Sequence, residues 1–282
     1  MNLEYINKEE AEQLQQEIVV GNCYFRHGIT LSDGDVLIDC GANIGIFSLL
    51  CLSKAADLTL ICIEPVPIIF STLQSNLGNA LRLYPSSSIT ALELATADIS
   101  GPSMFQYIPE CPGESCLQDY LSERTTQQNL LSEAIERSDN EELKTSFFLH
   151  RHSNNCEGNE SNRRLSHTFE VEVRRLEDIL QHLKLESRPI HLLKIDVEGA
   201  ELVTLIGLGN HWRNVLQIVV GKKGIDLLGR YSTGSTLFLT VEVHDIDGRL
   251  ANIVTLLSSK GFTHIATERQ TTQVSYHSYH SS

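Results

Sequence analysis

Residues 35–55, DVLIDCGANIGIFSLLCLSKA, decide the fold of this chain. A short apolar strand from Val36 to Ile38 runs into a glycine-rich turn, and the turn opens an apolar segment of helix length. Strand, glycine turn and helix in that order are the first half of a βαβ unit, whose ligand site lies where the strand becomes the helix. Downstream, Leu58 to Ile63 reads as the second strand and stops at Glu64-Pro65. Pro67 to Leu77 then carries apolar residues at helical spacing. A third strand is expected over Ile89 to Leu94. Strands alternating with helices predict an α/β fold with a mainly parallel sheet and helices on both faces.

From about 110 to 166 the apolar density falls and Ser, Asn, Glu and Arg rise. This stretch reads as an inserted variable segment, helical in part around Leu117 to Leu143 and mobile near its end, covering an acceptor site. Regular patterning resumes with FEVEVRRLEDIL, an alternating strand leading into a helix. HLLKIDVEGAELVTLIGL then reads as a buried strand, a turn and a helix. A strand at Leu237 to Val243 and a helix from Arg249 to Lys260, stopped by Gly261, complete the pattern. Residues 1–267 are expected to make a single domain, with 268–282 a disordered polar tail.

The chain has 22 basic and 36 acidic side chains and a net charge of -14. That balance repels nucleic acid and anionic membranes, so neither is an expected partner. No apolar run reaches the length of a membrane span and the acidic start MNLEYINKEEAEQLQQ lacks the pattern of a secretion signal, so the expected location is cytoplasmic. Cys40, Cys51 and Cys62 sit in apolar segments as small hydrophobes. Cys111 with Cys116, and His150 with His152, lack further ligands at metal-binding spacing, so no metal is expected.

At the turn, Asp39, Gly41, Ala42, Asn43 and Gly45 form a DxGxNxG pattern. The helix-start amides can take the carboxylate of S-adenosylmethionine, and Asp39 can accept from its ammonium group, directly or through water. An acid at this place suits an amine better than a pyrophosphate, and Asn43 breaks the GxGxxG pattern of nicotinamide sites. Glu64, ending the second strand, is placed to accept from both ribose hydroxyls. Asp98, past the third strand, completes the expected cofactor set.

In order and spacing, DVLIDCGANIGIFSLL, CIEPVP and LLKIDVEGAELVTLIGL resemble the FkbM-type methyltransferases. The resemblance extends to VRRLEDIL and to VEVHDIDGRLANIVTLLSSKGF, and so runs from about residue 30 to 265. It implies a Rossmann-like, class I methyltransferase fold using S-adenosylmethionine. FQYIPECPGES followed by a long variable segment looks like the O-methyltransferase domains of polyketide and nonribosomal peptide synthases. Such domains methylate hydroxyl or carboxyl oxygens, so the implied acceptor is a small molecule or a carrier-bound chain. One stretch departs from the family: GKKGIDLLGRYSTGSTLFLT, residues 221–240, separates Val220 from Val241, where the family strand runs directly into EVHD. It is either a surface excursion or the sign of two half-repeats competing for one sheet position.

Methyl transfer to an alcohol requires a positioned oxygen and a base. Asp196 and Glu198 follow a buried strand and are expected at the reacting end of the cofactor. The competing structural reading has Asp196 capping a helix that begins near Gly199, with Glu198 in its first turn. Glu242 and His244 close the next strand, and His244, titrating near neutrality, is the expected base with Glu198 or Glu242 orienting it. The alternative is a degenerate domain that binds cofactor or partner without turnover.

Overall fold

Val36–Cys40 (β1) is buried along its whole length, because parallel strands bury both faces of the sheet. The computed structural model describes residues 3–25, 28–109, 112–118, 166–220, 239–241 and 249–261. Around β1 run Thr59–Ile63 (β2), Ser88–Leu92 (β3), Leu192–Ile195 (β8), Ile218–Val220 (β9) and Leu239–Val241 (β10). They form one parallel sheet in the order β10-β9-β8-β1-β2-β3.

Period-two alternation sends β1 side chains to two cores. Leu37 joins helices Lys8–Gln15 (α1), Ile46–Lys54 (α2) and Pro67–Leu81 (α3), through residues such as Leu14, Phe47 and Leu73. Val36, Ile38 and Cys40 join Leu176–His182 (α4), Glu201–Ile206 (α5) and Arg249–Ser259 (α6), through Leu180, Leu205 and Leu257. Helices therefore cover both sheet faces, as in a Rossmann-like methyltransferase fold. None of the helices among the described residues is long and apolar enough to cross a membrane.

A second sheet lies beyond the C-terminal end of β3. It comprises Ala95–Thr96 (β4), Gly101–Tyr107 (β5), Cys116–Leu117 (β6) and His167–Arg174 (β7), in the order β4-β7-β5-β6. Two expectations change here. The third strand ends at Leu92 instead of Leu94, and β6 stands inside the stretch expected to contain no strand. β5 was not legible in advance, because GPSMFQY places few apolar residues and is held by long-range antiparallel pairing to β7, from Gly101↔Val173 to Tyr107↔His167. The helical reading of Leu117 to Leu143 begins on a β6 residue and otherwise lies, with the rest of 119–165, outside the described residues.

The helix after β8 starts at Glu201, later than expected near Gly199. Glu198 (φ 53) and Gly199 (φ 111) adopt left-handed backbone, which a right-handed helix cannot continue through. Asp196 is accordingly not its cap. Glu201 instead folds back on the turn before the helix, accepting from Gly199 N at 3.0 Å and from Val197 N at 3.3 Å.

β9 and β10 take adjacent positions, in register Ile218↔Leu239 to Val220↔Val241. The two segments flanking the 221–240 departure therefore do not compete for one place in the sheet. β9 separates β10 from β8, so the strand leading to His244 is not beside the strand leading to Asp196, as the sequence had suggested.

Candidate active site

A cleft of about 640 Å³, including its open mouth, lies at the C-terminal ends of β1, β2 and β8 and is walled by the second sheet. This edge is where open α/β sheets take ligands. Gly41, Asn43 and Glu64 line one part of it. Asp196, Val197 and Glu198 line another, and Leu94, Thr96, Phe105, Ser115 and Leu117 close the second-sheet side.

The turn after β1 is held before any ligand arrives. Gly41 N and Ala42 N both donate to Ile63 O, at 3.0 and 2.9 Å, tying the turn to the end of β2. Asn43 lies in left-handed backbone (φ 49), and its Oδ1 accepts from Ile44 N at 2.6 Å. The space beside the two glycines serves the protein itself. A Cβ on Gly41 would collide with the carbonyl oxygen of Asp196, and one on Gly45 would stand 2.8 Å from Leu73 Cδ1. Both glycines also hold positive φ, 75 and 93. Ala42 and Gly45 thus shape the turn from behind and do not line the cleft.

Glu64 is 5% exposed, and its carboxylate accepts from Val66 N at 3.0 Å and from Asn43 N at 3.1 Å. Burial pushes its carboxyl up to about 7 even though both amides pull the other way. Burial likewise raises Glu201 to about 7. The folded chain therefore holds protons that the unfolded chain releases near 4.5, so this stability contribution is full at acid pH and is lost as pH rises through 7.

Asp39 points inward. It is 2% exposed, with Oδ1 at 3.0 Å from Lys194 Nζ and Oδ2 accepting from Ser48 Oγ at 2.7 Å. It does not line the cleft, so direct contact with a cofactor ammonium, as expected from sequence, does not follow from its placement. Lys194 Nζ also donates to Gly41 O at 2.7 Å and stands 4.0 Å from Asp196 Oδ2. Burial alone pulls this ammonium down, but Asp39 and then Asp196 outweigh it and hold it above the ordinary lysine value. One buried cation thus ties together the end of β1, the glycine turn and the acid after β8.

Asp98 is outside the cleft lining. The chain bends there toward α4, where Ser100 Oγ accepts from Arg175 N at 3.0 Å and donates to Asp178 Oδ2. Thr96, two residues earlier, lines the cleft in its stead and shares a buried hydroxyl contact of 3.0 Å with Thr204. Sequence reading also passed over Tyr24 and Ser48. Tyr24 gives no local signal, while Ser48 was legible only as a polar residue one helical turn past Gly45 on an otherwise apolar helix. Glu242 and His244 lie outside the described residues.

A family profile described as the methyltransferase FkbM domain matches residues 39–263. The 31-O-demethyl-FK506 methyltransferase FkbM of Streptomyces tacrolimicus is 28% identical over 263 residues, covering 93% of this chain and 85% of that one. The AMB antimetabolite synthetase AmbE of Pseudomonas aeruginosa is 32% identical over 206 residues, covering 72% of this chain and 9% of that one. A crystal structure of methyltransferase FkbM from Methylobacillus flagellatus KT aligns at 16% identity with a TM-score of 0.46. The alignment covers 92% of this chain, which spans 47% of that solved chain.

Proposed function

This chain belongs to the FkbM methyltransferase family, and from that premise we propose that it methylates an oxygen of a small-molecule, sugar or carrier-bound acyl acceptor, using S-adenosylmethionine. The observation that carries this reading is the placement of two acids on either side of β1 in one cleft: Glu64 after β2 and Asp196 after β8. A buried carboxylate suits the two donor hydroxyls of a ribose, and a second acid beyond the turn suits a cationic end. When bound, the cofactor supplies an electrophilic methyl on a positively charged sulfur. A base of this chain would take the proton from the acceptor hydroxyl as that oxygen receives the methyl group. Val197, Phe105 and Leu117 give the cleft apolar lining. To Glu198, which lines the cleft, we assign orientation of the acceptor, and to His244, with Glu242, removal of the proton.

Titration calorimetry with S-adenosylmethionine and with NAD tests the cofactor, and transfer of a labelled methyl group to an alcohol acceptor tests the reaction. Tight NAD binding with no S-adenosylmethionine signal would overturn the reading. Glu64→Ala should lower cofactor affinity by about 1–3 kcal/mol, roughly 5- to 150-fold. In the unaltered chain affinity should rise with pH through about 7, as Glu64 ionises and becomes a pure acceptor. Glu64→Gln should flatten that rise; an unchanged pH profile would place the titration on another group.

A second reading, a cofactor-binding domain without turnover, is favoured by the position of β9 between β8 and β10. Deleting residues 221–240 distinguishes the two. If the departure from the family pattern holds the base away from the cleft, the deletion variant gains methyl transfer that the full chain lacks. Equal activity in both chains removes this second reading.

A further inference from the structure

The family match begins at residue 39, yet the segment before it reaches the cleft twice. Glu10 on α1 accepts through Oε1 from Gly113 N at 2.6 Å, and Gly113 lines the cleft. Tyr24, in the 3-10 turn Cys23–Phe25, donates its hydroxyl to Asp196 Oδ2 at 2.7 Å. Two further bonds, from Glu4 N to Asn76 Oδ1 at 2.8 Å and from Asn76 Nδ2 to Glu4 O at 2.9 Å, anchor the start of this segment on α3.

Tyr24 is 1% exposed, and its ring packs edge-on against Phe47 with centroids 5.0 Å apart. Lys194 Nζ lies 5.6 Å from the same ring. The phenol is therefore fixed in position by the core and by a buried cation. A hydroxyl so fixed holds the carboxylate it meets in one rotamer, since a charge-assisted bond of this length is directional.

Lys194 Nζ stands 3.0 Å from Asp39 Oδ1 and 4.0 Å from Asp196 Oδ2, so Asp39 is its nearer acid, and Asp196 is the one of the two that lines the cleft. From this geometry we propose that Tyr24 is a positioning residue, contributed from outside the family-matched region, that aims the Asp196 carboxylate at the ammonium group of the cofactor's amino-acid end. This rests on the S-adenosylmethionine reading above. It gives Asp196 the electrostatic role that the sequence had assigned to Asp39, and leaves Asp39 acting through Lys194.

The test compares two probes on the full chain by titration calorimetry. S-adenosylhomocysteine carries the amino-acid end; 5′-methylthioadenosine keeps the nucleoside and sulfur but lacks that end. Tyr24→Phe removes the hydroxyl and keeps the ring against Phe47. The variant should bind S-adenosylhomocysteine on the order of tenfold more weakly while its affinity for 5′-methylthioadenosine stays the same. Its urea midpoint, measured alongside, reports whether the fold is kept. Equal weakening of both probes would make Tyr24 merely structural, and no weakening of either would remove it from the site. Failure of the unaltered chain to bind S-adenosylhomocysteine would instead overturn the cofactor reading on which this one rests.

Discussion

Lys194→Met is expected to lower folding stability by about 3–5 kcal/mol, the cost of leaving a buried charge without its partner. The methionine fills the volume of the lysine stem, so packing is largely kept and the electrostatic loss stands alone. Asp39 would remain 2% exposed, with Ser48 Oγ as its other polar contact. Gly41 O would lose the ammonium that now donates to it at 2.7 Å, which should loosen the cofactor turn as well. Because its partners hold the ammonium above the ordinary lysine value, its stabilisation is full across neutral pH and is lost only as pH rises past the alkaline range. Urea denaturation at neutral pH measures the loss, and the double variant Asp39→Asn, Lys194→Met should recover part of it, since the buried Asp39 charge is then removed together with its nearest partner. A single variant as stable as the parent would show that the pair contributes nothing to the fold.

His244→Ala is expected to reduce methyl transfer by about 100-fold or more, the usual contribution of a positioned general base and a step beyond, while cofactor affinity stays unchanged. The separation follows from the assignment proposed above, which gives Glu64 and the turn after β1 to the cofactor, whereas proton removal concerns only the acceptor oxygen. His244 follows the edge strand β10 by three residues and lies outside the described residues, so its role rests on chemistry and on sequence position. Single-turnover assays with a labelled methyl group, paired with calorimetry, measure the two quantities independently. Loss of cofactor binding in the variant would make His244 part of the cofactor site, and undiminished transfer would move the base assignment to Glu242 or Glu198.

The turn after β1 and the acid after β2, on one side of the cleft, were legible because their signals are local. DVLIDCGANIGIFSLL encodes a strand, a turn needing positive φ and a helix within one short stretch, and each of these is fixed by backbone sterics and hydrophobic period. Glu64 follows by the same logic, as the polar residue that stops a buried strand beside Pro65. The parallel sheet with helices on both faces, and the family, came from the same local patterns.

What tertiary structure decided is which charges meet. Asp39, Lys194 and Asp196 stand close in sequence pattern to the turn and the buried strand, but only the pairing of β1 with β8, Asp39↔Lys194, turns Asp39 toward the ammonium and away from the cleft. Gly41 was legible as a glycine that the turn requires; that its space belongs to the Asp196 carbonyl was not, since the collision joins two strands. Tyr24 reaches Asp196 across 172 positions, and β5 exists through its ladder to β7. The order β8-β9-β10, which puts the strand leading to His244 one place further out, is likewise seen only in the assembled sheet. Local sequence fixes dihedral preferences and burial period, whereas contact between distant carboxylates, cations and hydroxyls depends on how the elements pack, and no single stretch of the chain encodes that.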